Sequence, residues 1–541
     1  MHTFTISGNF IDIRAREMYP AILSVESGKI KSIEKTADPV IDQFLLPGFV
    51  DAHVHIESSL LIPSEFARMA VVHGTVATVS DPHEIANVLG VAGVDYMIEN
   101  GNQVPFHFFF GAPSCVPATP FETAGAEVGL EELEYLLKKP SVLYLAEMMN
   151  WPGVLHNDPV VMAKLELAKK YKKPIDGHAP GLKGKDAFNY IKHGISTDHE
   201  CFTSEEALDK LKHGMKILIR EGSAAKNFEA LIDLLPQHYR NMMFCSDDKH
   251  PDSLELGHLD QLIKRSLAKG FDLYEVLQVA CLNPVVHYQL PVGTLQVGDP
   301  ADFISINSIE DFSVTGCWIQ GEKVAEKGKS FIKSVEAGTP NKFECSPKTA
   351  QEFAIPAKTG KIPVIQVLDG ELITKRLELE PKTENGFCVS DTDRDLLKIS
   401  VINRYENAPP ATAFIKNFGL KEGAIASSVG HDSHNIIVVA TDDEFLAKAC
   451  NLLIESSGGL AAVDAKTEKV LPLPVAGIMT NADGYETSKL YSEIDQMAKD
   501  MGSKLISPYM SLSFMALLVI PDLKLSDKGL FDGQAFSFVQ W

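Results

Sequence analysis

Leu45-Leu46-Pro47-Gly48-Phe49-Val50-Asp51-Ala52-His53-Val54-His55 is an apolar run that ends in two histidines one residue apart. Side chains alternate faces along a strand, so residues i and i+2 project to the same side. His53 and His55 therefore leave the end of one strand together, as two ligands of a single cation must. A His-x-His pair also arises by chance. This one gains weight because a series of apolar strands downstream also ends in ligand-type residues.

Outward from that run, the chain keeps a steady rhythm of apolar strand, polar turn and amphipathic helix. Eight strand candidates can be read, at 45–55, 75–80, 104–111, 141–147, 174–178, 195–199, 216–220 and 241–247. Between them, 159–172 has apolar residues at three- and four-residue spacing and a basic carboxyl end. Residues 204–213 open with Ser204 and two glutamates in the manner of a capped helix. Eight β–α alternations over residues 46–287 match a (β/α)8 barrel in size and rhythm, with a doubly wound parallel sheet as the alternative. A barrel would place functional groups at the carboxyl ends of its strands, where the βα loops converge.

The flanks read differently. Residues 1–45 carry short alternating stretches, Phe4-Thr5-Ile6-Ser7 and Ala21-Ile22-Leu23-Ser24-Val25, punctuated by Gly28 and Pro39, and predict a small sheet. Past Tyr288 the text returns to short strands and turns, so 288–340 are expected to rejoin 1–45 in one small discontinuous β-sandwich domain beside the barrel. Lys, Pro, Thr and Gly are frequent over 335–362, and 341–362 read as a linker. Residues 363–541 alternate strand-like runs (424–426, 435–440) with helical ones (443–454, 487–501), as in an additional C-terminal α/β domain.

Composition bounds the function. At 541 residues the chain exceeds the size at which one core stops growing, so two or three domains are expected. Lys+Arg 50 against Asp+Glu 72 gives a formal charge of −22, which argues against nucleic acid or an anionic membrane as partner. No apolar stretch is long enough to span a bilayer, and MHTFTISGNF lacks the basic-then-apolar order of a signal peptide. The eight cysteines are scattered, with no Cys-x-x-Cys pair, which predicts buried thiols and a cytoplasmic location. A homodimer is the default assembly.

The chemistry sits at the strand ends. The first strand delivers His53 and His55, the fourth Glu147, the fifth His178, the sixth His199 and the eighth Asp247. Taken singly, Glu147 or Asp247 could cap a turn, and His178 or His199 could be a satisfied core histidine. Taken together at equivalent positions, they fit a two-metal hydrolytic site. Nitrogen and oxygen donors without thiolate suit Mn²⁺ or Fe²⁺, with Zn²⁺ also possible. One ion would take His53, His55 and Asp247, the other His178 and His199, with Glu147 bridging ions roughly 3.5–4 Å apart. Such a pair can generate a hydroxide from water near neutral pH. Asp247 would receive the proton of that nucleophile and later pass it to the leaving group.

More specific words are VDAHVHIESS (50–59), VSDPHEIANVLG (79–90), EMMNWPGV (147–154), DGHAPGL (176–182), TDHE (197–200), REGSA (220–224) and FCSDD (244–248). With GHDSHN (430–435) and SGGLA (457–461) they run through nearly the whole chain. On these words the sequence resembles the amidohydrolase superfamily of metal-dependent hydrolases and, within it, the bacterial and archaeal adenine deaminases. A glutamate at position 147, where many amidohydrolases use a carboxylated lysine, sets the deaminases apart from the dihydroorotase and hydantoinase types. The resemblance implies hydrolysis of adenine to hypoxanthine and ammonia in purine salvage, by attack of a metal-activated hydroxide on C6.

Adenine also needs groups that meet its ring nitrogens, and the second-strand loop offers Asp81, His83 and Glu84. Glu84 is the candidate to protonate N1 or to hold a further metal, against the plainer reading of a carboxylate at a helix start. Arg220 and Glu221 would line the purine pocket or form a structural ion pair. His431 and His434 read as part of a loop over the barrel mouth in preference to an independent metal site. The rivals are another amidohydrolase, acting on a cyclic amide or an N-acetyl sugar, and a non-catalytic barrel serving as an interaction module. The second would be expected to lack ligands, and all six are present.

Overall fold

The opening run is two strands, not one. In the computed structural model, which describes residues 3–38 and 42–541, Phe44–Pro47 belongs to one sheet and Phe49–Val54 to another. Pro39 lies outside the described residues. The first strand pairs in parallel with Thr3–Asp12 and antiparallel with Phe303–Ile306. The second pairs in parallel with Thr75–Ser80. Gly48 is the switch between them: a Cβ there would stand 2.4 Å from Val76 Cγ1, so only a residue without a side chain lets the two sheets meet this closely. Both halves are apolar because both are buried, and periodicity does not separate them.

The sheet that takes Phe44–Pro47 has eight strands. In spatial order they are Lys329–Ser330, Glu322–Glu326, Val314–Ile319, Phe303–Ile306, Phe44–Pro47, Thr3–Asp12, Glu17–Glu26 and Lys29–Lys35. Residues from both ends of the barrel segment thus share one sheet, with a core of its own around Phe10, Leu23, Leu45, Phe303 and Trp318.

The barrel is built from two parallel runs. Phe49–Val54, Thr75–Ser80, His107–Ala112, Val142–Met148 and Ile175–Gly177 pair in that order, and Thr197–Asp198, Lys216–Arg220 and Met242–Cys245 form the second run. Single parallel bridges join them, Ile175 to Ile195 on one side and Val54 to Asp247 on the other, so the eight strands curl into a closed barrel. The fifth and sixth strands are shorter than the sequence suggests, ending at Gly177 and Asp198, so His178 and His199 lie just past the ladder. The third begins at His107, after a turn through Val104. Pro159–Lys170 is helical with Asp158 as cap, and Ser204–Lys212 is capped by Thr203, one residue before the serine that the sequence singles out.

The seam between first and eighth strands is held by buried polar contacts. Buried Asp51 accepts from Ser246 N at 3.0 Å and from Ser246 Oγ at 2.5 Å, and stands 3.0 Å from His258 Nε2. Asp247 N donates to His53 O at 3.0 Å, and Asp247 itself is held at φ +53°, a left-handed conformation uncommon for a residue with a side chain.

Beyond the small sheet, Phe343 and Phe353 pack on the C-terminal domain, and Glu344 N donates to Arg404 O at 2.7 Å. The segment 341–362, read as a linker, is thus laid along that domain. The domain's main sheet has eight strands, from Thr374–Leu379 at one edge to Glu468–Pro472 at the other, with Asp443–Glu455 and Gly484–Asp500 as its long helices. It docks on the barrel through a bridge between Leu61 and Thr480 and through Glu65, which accepts from Gly484 N at 3.0 Å. Its loop 428–435, between strands Ala424–Ser427 and Ile436–Ala440, is fully buried.

Gly48→Ala forces Val76 aside where two sheets meet. We expect it to lower stability by about 1–3 kcal/mol, read as an earlier midpoint in urea unfolding. An unchanged midpoint would show that the switch tolerates a side chain.

Candidate active site at the barrel mouth

Strand geometry brings the six metal-ligand candidates together. His53 is the penultimate residue of the first strand and His55 follows its end, and both rings turn the same way. Their Nε2 atoms are 3.2 Å apart, and both face Asp247 Oδ1, at 3.6 and 3.4 Å. Glu147 divides its two oxygens between two sets of imidazoles. Oε1 lies 3.5 Å from His55 Nε2, while Oε2 lies 3.0 Å from His178 Nδ1 and 3.3 Å from His199 Nε2. The ring of His199 stacks on that of His53 with centroids 4.0 Å apart.

This donor set suits cations. His55 Nδ1 lies 3.2 Å from the Asp81 carbonyl, which can only accept, so a proton belongs on Nδ1 and Nε2 is the ring atom turned toward Asp247 and Glu147. His178 Nε2 is buried without a hydrogen-bond partner. Ligand atoms of His53, His55 and Asp247, of His53, Glu147 and His199, and of His178, His199 and Glu200 each lie within 4.8 Å of one another.

Electrostatics keep the acids ionised. Burial alone pushes the Glu147 carboxyl up, but His178, His199 and His53 beside it bring it well below the usual carboxylate range. Burial is likewise outweighed at Asp247, by Arg220 first and then by His53 and His55. At His53, burial and the neighbouring His199 lower the imidazole and favour the neutral form that a metal ligand needs.

Arg220 ends the seventh strand, fully buried. Its guanidinium donates to Asp247 Oδ2 at 2.7 Å, to Glu200 Oε2 at 3.0 Å and to Glu200 Oε1. Two donor nitrogens in a rigid fork thus fix two carboxylates at once. Glu221 is not in this cluster. It pairs instead with Arg265 of the helix Leu259–Ala268 at 2.7 Å and with Lys226 at 3.4 Å. Glu200 is a residue that sequence reasoning missed. Strand alternation would send it away from His199, but the strand stops at Asp198, and Glu200 Oε1 ends 3.3 Å from His199 Nε2.

The second-strand loop joins the same cluster. Asp81 accepts from His83 N at 3.0 Å and from Glu147 N at 3.3 Å, tying that loop to the fourth strand. His83 Nδ1 lies 3.2 Å from Asp81 Oδ2 and 3.6 Å from Glu147 Oε1. Glu84 points to the C-terminal domain, where His431 Nδ1 meets one carboxylate oxygen and His434 Nε2 lies 2.5 Å from the other. Burial would raise Glu84, but His431, His434 and His83 hold it well below the usual range. His431 is pushed up to about 9, burial being outweighed by Glu84 and Asp248. Asp432, also missed, has Oδ1 3.8 Å from His83 Nε2 and 3.9 Å from His431 Nδ1. Only the contact between domains reveals it.

Arg220→Met would leave the buried carboxylates of Glu200 and Asp247 without the guanidinium that pairs with both. A loss of about 3–5 kcal/mol is expected, measured by chemical denaturation of the metal-free protein. A loss below about 1 kcal/mol would mean the two acids find other partners.

Comparison with known proteins places the chain. Residues 44–324 match the model of the amidohydrolase family, and residues 371–537 match that of the adenine deaminase C-terminal domain. The chain is similar to the adenine deaminase of Sulfurovum sp. (strain NBC37-1), at 54% identity over 99% of both chains. It is 51% identical to that of Salinibacter ruber over 99% of this chain and 98% of the other. With that of Methanosarcina barkeri it shares 50% identity over 99% of both.

Proposed function

The chain belongs to the amidohydrolase family and, within it, to the adenine deaminases, and from that premise we infer that it hydrolyses adenine to hypoxanthine and ammonia with the barrel-mouth residues holding the ions and moving the protons. The observation that supports these roles best is the division of Glu147, one oxygen toward His55 and the other toward His178 and His199. His53, His55 and Asp247 would hold one divalent ion, His178 and His199 a second, and Glu147 would lie between them. Mn²⁺ or Fe²⁺ fits these donors, with Zn²⁺ also possible. When bound, the ions supply Lewis acidity that lowers the pKa of water from ~15.7 to about 7 and so provides hydroxide at neutral pH.

The protein groups move the protons. Asp247, kept ionised and oriented by Arg220, takes the proton released as the water oxygen bonds to C6 of the purine. N1 needs a proton at the same time, to hold the electron pair displaced from the ring. Glu84 is low and His431, paired to it, is high, so the proton resides on His431 and crosses Glu84 to N1. The tetrahedral carbon then returns its hydroxyl proton to Glu84, the C6–N6 bond breaks, and Asp247 protonates the leaving amino group to ammonia. Asp81 and His83 would border the ring on the same side. The buried loop of the C-terminal domain covers the mouth and keeps bulk water from these transfers.

All eight cysteines are free thiols and seven are buried, which supports a reducing cytoplasm. No helix among the described residues is long and apolar enough to cross a membrane. The homodimer stands as part of the same proposal.

The test is ammonia release from adenine by metal-free protein reloaded with Mn²⁺, Fe²⁺ or Zn²⁺. Stoichiometric hypoxanthine at about two metals per chain is expected. No turnover with two metals bound would overturn these residue roles. Glu84→Gln is expected to lower kcat about 10²–10⁴-fold with metal content unchanged. His431 holds its proton below about 9, so kcat/KM should fall as pH rises through that value. A profile that stays flat well above that value would remove His431 from the proton route.

A further inference from the structure

The roof of the barrel mouth holds a second cluster of ligand-type side chains, used only in part by the deamination scheme. His83 stands between the two clusters. Its Nδ1 faces Asp81 and Glu147, while its Nε2 faces Glu84 Oε1 at 3.6 Å and Asp432 Oδ1 at 3.8 Å. His431 Nδ1 meets Glu84 Oε1 and lies 3.9 Å from Asp432 Oδ1. Four side chains from two domains therefore aim nitrogen and oxygen atoms at one small volume, and each is no more than 3% exposed.

Direct contact pairs only Glu84 with His431 in this group. The remaining atoms of two members, Asp432 Oδ2 and His431 Nε2, are buried without a hydrogen-bond partner, a costly state for polar atoms that water cannot reach. Ligand atoms of His83, Glu84 and Asp432 lie within 4.8 Å of one another. A divalent ion with bonds of ~2.0–2.2 Å sets tetrahedral ligands about 3.3–3.6 Å apart. The separations of His83 from Glu84 and of Asp432 from both imidazoles lie at or just beyond that range. Imidazole with carboxylate suits Zn²⁺ and its neighbours better than Mg²⁺ or Ca²⁺, which prefer all-oxygen shells.

We propose that His83, Glu84, His431 and Asp432 form a third divalent-cation site, seated between the barrel and the C-terminal domain, whose occupation switches turnover off. The site is separate from the pair assigned to the strand-end ligands and shares no residue with it. A carboxylate bound to a dication does not take up a proton, and an imidazole nitrogen bound to one carries none. An ion in this site therefore closes the route from His431 through Glu84 to the purine. The inhibitory effect rests on the proton-carrying role proposed for Glu84, whereas the site itself rests on geometry alone.

Binding and turnover separate the two. Full-length protein preloaded with two equivalents of Zn²⁺ is dialysed to equilibrium against rising Zn²⁺, and bound zinc and adenine turnover are measured on the same samples. A third equivalent should bind, with turnover falling in parallel. Asp432→Asn should retain the two tight equivalents, which reports that it is folded, while its affinity for the third drops at least about tenfold and its turnover, relative to its own value at two equivalents, resists added Zn²⁺. Absence of a third equivalent overturns the site, as does a third equivalent held with equal affinity by Asp432→Asn. A third equivalent that binds without slowing turnover leaves the site in place and refutes the role of Glu84.

Discussion

The closing seam of the barrel is the constraint on which the rest depends. Eight parallel strands give a closed structure only if the first meets the eighth, and they meet at one bridge, Val54 to Asp247. Asp51 reinforces it through Ser246, and the Asp247 amide reaches the His53 carbonyl. The same seam sets His53, His55 and Asp247 against one another. Asp247 adopts a left-handed backbone there, and the contacts on either side hold it in that conformation. Barrel closure and the assembly of the first half of the site are thus one event.

Charge accounts for the second half. Glu147, Glu200 and Asp247 are buried within a few ångströms of several imidazoles, an arrangement that burial alone would neutralise. Arg220 prevents this by forking between Glu200 and Asp247. The imidazoles of His178 and His199 do the same for Glu147. The acids therefore enter the site as carboxylates, the form in which they can hold a cation or accept a proton.

The C-terminal domain adds more than mass. Its loop at 430–435 brings His431 and His434 to Glu84 and Asp432 to His83. In the proposed scheme the barrel holds the reacting centre and the appended domain supplies the proton for the ring. That division gives a physical reason for an adenine deaminase to carry a domain far in sequence from the strands that offer its candidate metal ligands.

Much of this was legible in the sequence. Alternating apolar strands and helices marked the barrel, and ligand-type residues at successive strand ends marked the site, because both follow from local periodicity. His53 and His55 were readable as a pair, being two residues apart on one strand. The break of the opening run at Gly48 was not, since both halves are buried and equally apolar. Glu200 was hidden because the strand before it is two residues long, and Asp432 because only docking brings it near His83. The sequence by itself determined which residues stand at the strand ends and what donors they offer. The tertiary structure alone decided which of them face one another, which carboxylates Arg220 keeps charged, and that a distant loop closes over Glu84, because those outcomes depend on contacts between residues up to some 350 positions apart in the chain.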